Sequence, residues 1–410
     1  MLEAPPQQAP RTLAIWELVG LVAALSALNA LAIDIMLPAL PDIARAYNLA
    51  QANDRQLVVV AYVALFGVAQ LVYGPLADAF GRKSVLIWAQ AIFCIGSVLC
   101  VVAPSFELLL AARALQGVGA AATRVIATAV VRDLMEGRRM AQVMSMAMTV
   151  FMIVPIVAPG LGQLILFVAP WRWIFAALLI YALAVAAWTW LRLPETLRPE
   201  NRTPFEAPAI ARAYATAFRD RQMLGYMIAT TFVTGALFGY VTSSEQVYVD
   251  VYALGPAFSL AFASVAIGIS VGTSINARIV MRLGMRRISQ VAIIALTCTA
   301  AVHAVLQWLG LVSFWPFLLM MMVTMGCFGM VAGNLNALAM EKMGHVAGSA
   351  SALFGAVTAS FGAILGGLIA RGFDGTAFPL VAGIALMGAL TLGAIVWVER
   401  GRLFRDGARP

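Results

Sequence analysis

The chain has 410 residues, 62% of them hydrophobic and 11% charged, with a mean hydropathy of +0.91. This exceeds the roughly 45–50% apolar content of soluble domains, which excludes a water-soluble globular enzyme and indicates an integral membrane protein. The net charge of +8 resides in loop arginines that mark topology and face anionic lipid, and gives no reason to invoke nucleic acid.

Residues 1–13 hold Pro5, Pro6, Pro10 and a single Arg11. With no basic leader region or small-residue cleavage pattern, the first apolar run is predicted to be retained. Runs of about 20 apolar residues, enough to cross roughly 30 Å of hydrocarbon, recur along the chain. They lie at 14–37, 56–77, 84–103, 107–131, 141–167, 172–193, 223–245, 257–277, 289–309, 314–340, 346–370 and 378–398. The prediction is an all-α membrane protein with twelve transmembrane helices. With the N-terminus in the cytoplasm, 21 of the 27 Lys and Arg fall on cytoplasmic segments, four fall outside (Arg45, Arg55, Arg172, Arg371) and two lie within spans (Arg113, Arg124). This satisfies the positive-inside rule and puts both termini in the cytoplasm.

The longest polar interval, 194–222, divides the spans six and six. It reads as a cytoplasmic linker between a six-helix bundle at 1–193 and a second one, with a short tail, at 223–410. Each half has a basic turn between its second and third spans, Gly74 to Lys83 and Ala277 to Arg287, with Gly81 and Gly284 at equivalent points. Internal duplication of this kind is the plan of a rocker-switch transporter, although channels and membrane enzymes also have many spans.

Cys94, Cys100, Cys298 and Cys327 all fall within spans and are expected to be free, buried thiols. His303 and His345 are too few and too far apart for a metal site. Neither a GxxxxGK[ST] phosphate loop nor a dinucleotide GxGxxG after a strand is present, so no ATP site is expected.

Arg113 stands inside the apolar run 108–131, in Leu109-Leu110-Ala111-Ala112-Arg113-Ala114-Leu115-Gln116-Gly117-Val118-Gly119-Ala120-Ala121. A guanidinium that cannot lose its charge must face a protein interior or a watery path, which makes it a functional candidate. Asp34, about four residues before Pro38 at the outer end of the first span, sits at a similar depth. A carboxylate and a guanidinium in one cavity of changing polarity can switch the acid between protonated and charged forms, which is the physics of proton coupling. Asp34 as a plain helix-end acid and Arg113 as packing are the alternatives. Arg124 lies 11 residues beyond Arg113 and returns to nearly the same helix face; it either extends a charged track or snorkels to the headgroups.

Asp78 ends the second span, Gly81 permits a tight reversal, Arg82 and Lys83 follow, and Asp133 ends the fourth span on the same side. An Asp78–Arg82–Asp133 cluster is expected to latch the cytoplasmic side of an outward-facing state; the bland alternative is that the cations only fix topology. Pro155 and Pro159, with Gly160 and Gly162, predict a kinked, tightly packed helix at a bundle interface; the ordinary Gly and Pro content of a membrane helix is the alternative. Glu245 ends the seventh span, either as a second titrating or ligand-binding acid or as an exposed interfacial one. Asn29, Tyr62, Gln70, Gln116, Tyr240, Asn334 and Asn336 join it as candidate polar contacts in a substrate cavity.

Three of these elements carry a family resemblance. The stretch Gly74 to Lys83, the string around Arg113, and Pro155-Ile156-Val157-Ala158-Pro159-Gly160-Leu161-Gly162 resemble three sequence elements of the major facilitator superfamily, the last typical of its drug:proton antiporters. Ile33 to Pro41, Val130-Val131-Arg132-Asp133, Pro170 to Phe175 and Leu193-Pro194-Glu195-Thr196 are similar to the Bcr/CflA drug-resistance exporters. Ala158 stands where the family usually has Gly, Met281 stands where the first half has Asp78, and no second acid lies near Ser26.

The resemblance implies proton-coupled antiport of hydrophobic or amphipathic drug-like molecules out of the bacterial cell, across the inner membrane, by alternating access. It implies a monomer that works on a small-molecule substrate and protons in the lipid bilayer, is not an enzyme, and needs no cofactor beyond the proton gradient as energy source. Asp34 and Arg113 would couple the proton. Gly74, Asp78, Gly81, Arg82, Lys83 and Asp133 would form the conformational switch, and Pro155, Ala158, Pro159, Gly160 and Gly162 the antiporter-motif helix. A proton-coupled transporter of a specific metabolite would share the fold and is the alternative.

Overall fold

A backbone in hydrocarbon has no water to bond to, so apolar runs of this length must satisfy their amides internally as helices. The computed structural model describes residues 14–404; Arg11, Arg405 and Arg409 of the cytoplasmic set lie outside them. Among the described residues the helices are α1 (Ile15–Asp34), α2 (Leu40–Ala46), α3 (Leu57–Phe80), α4 (Arg82–Val102), α5 (Phe106–Leu134), α6 (Gly137–Val168), α7 (Arg172–Arg192), α8 (Ala207–Arg219), α9 (Arg221–Glu245), α10 (Phe258–Leu283), α11 (Met285–Trp308), α12 (Phe314–Met340), α13 (Ala347–Arg371) and α14 (Phe378–Val398). Twelve helical stretches are long and apolar enough to cross a membrane, as the sequence predicts. The large side chains that stay exposed, among them Trp88, Leu260, Trp308 and Trp315, form an apolar outer skin suited to lipid.

The helices pack as two six-helix bundles. In the first, the backbones of α3 and α5 touch: a Cβ at Gly117 would stand 2.1 Å from the Tyr62 carbonyl oxygen, so only glycine admits this approach. Between bundles, α3 lies along α13 and α6 along α10. Ser360 Oγ donates to the Ala64 carbonyl at 2.8 Å, and Ser259 Oγ to the Pro159 carbonyl at 3.2 Å. The predicted duplication has a backbone signature. Gly81 at φ 96° joins α3 to α4, and Gly284 at φ 76° joins α10 to α11, a region L side chains rarely enter.

Three features extend the sequence reading. The first span continues outward past Asp34 through a turn at Leu37–Ala39 into α2, and the seventh runs past Glu245 through a π-turn at Gln246–Val251. The linker contains an amphipathic helix, α8, which opens with Pro208 in its first turn. Tyr214 of α8 donates to the Leu71 carbonyl of α3 at 2.6 Å, and α8 also rests on α13 of the second bundle. Of the four thiols expected to be buried, only Cys100 is; Cys94 and Cys327 are half-buried and Cys298 is exposed, because their helix faces turn toward lipid.

Candidate functional site

A cavity of about 500 Å³ lies between the bundles on the arginine-rich side, which the positive-inside count makes cytoplasmic. Its walls are the inner halves of α3 and α5 from the first bundle and α12 and α13 from the second. Of the predicted cavity residues, Gln70 and Asn336 line it. The other six are engaged elsewhere, because depth along a helix does not fix which way a side chain faces. Tyr62 donates to Asn29 at 3.0 Å, Gln116 binds Arg113 and Ser97, and Asn334 exchanges amide bonds with Asn276 between α10 and α12. Tyr240 is buried against Phe262, their ring centroids 5.5 Å apart, and Glu245 belongs to the outer seal described below. Arg124 lines the cavity and is exposed there, so it does not snorkel to the headgroups.

Arg113 is fully buried. Its Nε donates to the Val58 carbonyl at 3.1 Å, Nη1 to Gln116 Oε1 at 2.7 Å and Nη2 to the Ala32 carbonyl at 2.9 Å. The guanidinium lies over the Tyr62 ring at 4.5 Å, with Phe175 at 5.7 Å. One arginine thereby ties α5 to both α1 and α3. Asp34 is 6% exposed and, among the described residues, makes no hydrogen bond or ion pair. The two residues share a seam, since Arg113 grips the carbonyl two residues before Asp34, but the direct charge pair that their similar depth suggested is not formed. The arginine's donors face neutral acceptors instead.

The predicted cluster at the turn is present. Arg82 Nη2 stands 2.6 Å from Asp78 and its Nε 3.1 Å from Asp133. Glu195 accepts from the Arg82 and Lys83 amides at 2.8 and 3.2 Å. All of its members belong to the first bundle and its extension, and the cavity beside it is open. In this cytoplasm-open arrangement the cluster binds one bundle to itself and makes no link to the second among the described residues. A twin exists in the second bundle, where Arg286, just after Gly284, pairs with Glu341 at 2.9 Å and Glu399 at 3.1 Å. Met281 lacks the Asp78 carboxylate, and acids at the ends of α12 and α14 supply the charge.

The antiporter-motif helix α6 crosses the bundle interface. A Cβ at Gly162 would stand 1.9 Å from the Ile35 carbonyl oxygen, Ala158 is fully buried, and Pro159 offers its carbonyl to Ser259. Gly160 has open space beside it, and Pro155 lies within the continuous helix. Gly74 lines the cavity wall.

The outer end is sealed by residues that sequence reading did not connect. Arg55, from the turn before α3, reaches the second bundle: its Nη2 is 2.9 Å from Glu245 and 2.6 Å from Asp250. Asp54 pairs with Arg371 at 3.0 Å. Asn53 donates to the Phe373 carbonyl at 2.9 Å and accepts from Gln246 at 2.8 Å. Glu245 is 0% exposed, which excludes the interfacial reading. The available signal was a span-end acid on the same side as one of only four outer cations.

The geometry is that of a carrier closed outside and hollow inside, and the comparisons agree with it. The Major Facilitator Superfamily model matches residues 22–367. An uncharacterised MFS-type transporter of Bacillus subtilis, YdgK, is 33% identical over 94% of this chain and 92% of its own length. A bicyclomycin resistance protein homolog of Haemophilus influenzae is 30% identical over 92% of each chain. Among solved structures, a D-xylose–proton symporter superposes with a TM-score of 0.72 at 14% identity, covering 94% of this chain and 97% of that one, a likeness of fold. With a family match across most of its length and twelve spans in two bundles, the chain belongs to the major facilitator superfamily, as a multi-pass transporter of the bacterial inner membrane.

Proposed function

We propose that this transporter exports drug-like small molecules from the cytoplasm in exchange for protons. The observation that carries the reading is the pairing of a cytoplasmic cavity with an outer seal of inter-bundle ion pairs. An exporter that loads from the cytoplasm needs this state, with the cytoplasmic side open and the exit closed. The bicyclomycin-resistance relative supports a drug-like cargo.

Asp34 is the group we assign to proton exchange. Its carboxylate has no compensating partner among the described residues, so its protonation follows the polarity and water access around it. Arg113 holds the α1 backbone beside it and keeps its position fixed through the cycle. One proton moving down 100 mV supplies about 2.3 kcal/mol, which sustains roughly a fifty-fold gradient of a neutral cargo. The test is efflux from cells or uptake into inverted vesicles with and without a protonophore. Protonophore-sensitive movement of drug-like dyes is expected; a protein that leaves all dyes untouched but moves one metabolite overturns the reading.

A further inference from the structure

We propose that the cavity binds organic anions, drug-like molecules bearing a carboxylate, sulfonate or phosphate, in preference to cations. The unpaired charges there are all positive among the described residues. Arg124 and Arg132 line it from α5, both are exposed to it, and neither is within 4 Å of a carboxylate among the described residues. Arg124 lies ten residues before the end of α5, about 15 Å along the helix, too deep to serve only as a topology marker. The sole acid among the lining residues, Asp78, is committed to Arg82 at 2.6 Å.

Across the cavity the second bundle presents the N-terminus of the 25-residue helix α13. No side chain caps it, and Ala347, Gly348 and Ser349 face the space. First-turn amides and the helix dipole favour negative charge. Gln70, 3% exposed and in the same wall, has an Nε2 amide with no hydrogen-bond partner among the described residues. Two guanidinium forks, a free amide and a helix N-terminus contributed by opposite bundles make an anion site that spans the seam. An anion held there draws the two bundles together by charge.

The assignment rests on the export reading for the direction of movement. It adds an energetic consequence: an inside-negative potential of 100 mV by itself drives a monoanion outward roughly fifty-fold.

The test uses two xanthene dyes of similar shape and opposite charge, 5-carboxyfluorescein and rhodamine 123, with the purified full chain and fluorescence polarisation. Carboxyfluorescein is expected to bind at least about ten-fold tighter. Arg124→Gln should cost it roughly ten- to a hundred-fold, in line with a charge-assisted hydrogen bond. Arg124→Glu should invert the order of the dyes, and Arg124→Lys should restore most of the affinity. Arg132→Gln is a second variant, of a residue at the cavity rim, should Arg124→Gln fail to fold.

Tighter rhodamine binding, or unchanged carboxyfluorescein affinity in both arginine variants, overturns the proposal. Repeating the titration in phosphatidylcholine vesicles with and without phosphatidylglycerol separates the sources of anion. Loss of dye binding to phosphatidylglycerol assigns the site to a lipid headgroup and overturns a solute site. In inverted vesicles, proton-driven movement of rhodamine alone leaves export standing and sinks the anion assignment. Charge-ordered binding with no proton-driven movement of either dye leaves the site standing and sinks export.

Discussion

Arg55 of the first bundle stands 2.9 Å from Glu245 of the second at the outer end of the seam, with side-chain exposures of 7% and 0%. The same guanidinium holds the half-exposed Asp250 at 2.6 Å. Among the described residues Arg55 is therefore the single cation that pairs with these two acids of the opposite bundle, and outward opening must separate them.

Arg55→Met leaves Glu245 buried without a counter-ion, a loss on the order of 3–5 kcal/mol for a buried pair broken from one side. Glu245→Gln keeps the Arg55–Asp250 contact and should cost less. The expected result is a shift toward outer opening by roughly two orders of magnitude or more in Arg55→Met and a smaller one in Glu245→Gln. Distances between spin labels at Gln51 and Leu311, on outer loops of opposite bundles, report it directly. Equal distributions in both variants and wild type would mean that this pair does not hold the seal.

Asp34→Asn removes the proton-exchanging group while preserving its shape. Proton-driven dye transport should vanish, and exchange of dye between compartments without a proton gradient should persist. Full proton-dependent transport in this variant would move coupling to another acid.

Arg113→Lys keeps the charge and loses the planar fork that reaches Val58, Ala32 and Gln116 together. At least two of the three bonds should go, about 1.5–3 kcal/mol each for a charged donor. The variant should unfold several degrees lower in a detergent melt, with transport impaired. An unchanged melt would show that the anchoring is not structural.

Gly162 and Gly160 offer a paired control on α6. Gly162→Ala puts a methyl group 1.9 Å from the Ile35 carbonyl oxygen, whereas Gly160→Ala meets nothing within 4 Å. The first should disturb α6 against α1 and lower both yield and transport, and the second should behave as wild type. Indistinguishable variants would argue against tight α1–α6 packing.

The spans were legible because hydrocarbon imposes one length and one secondary structure, and the Gly81 and Gly284 turns because each reversal needs a residue free to adopt positive φ. Helix α8 was legible too and was missed: Ile210, Tyr214 and Ala217 recur at helical spacing within a polar stretch. The outer seal was not legible, since Arg55 and Glu245 are 190 residues apart and meet only through the packing of two bundles. Asp34 and Arg113 show the limit of a depth argument. Their heights agree, but rotation about the helix axis sends the guanidinium to backbone carbonyls rather than to the acid.

The twin arginine knots, Arg82 with Asp78 and Asp133, and Arg286 with Glu341 and Glu399, each fasten the inner rim of one bundle to itself. A body cross-braced at its rim resists shear between its own helices, so thermal deformation is channelled into the crevice between bodies. Loosening a knot should therefore show as slackness inside one half, an uncoupled and leaky machine, rather than as a bias toward one orientation.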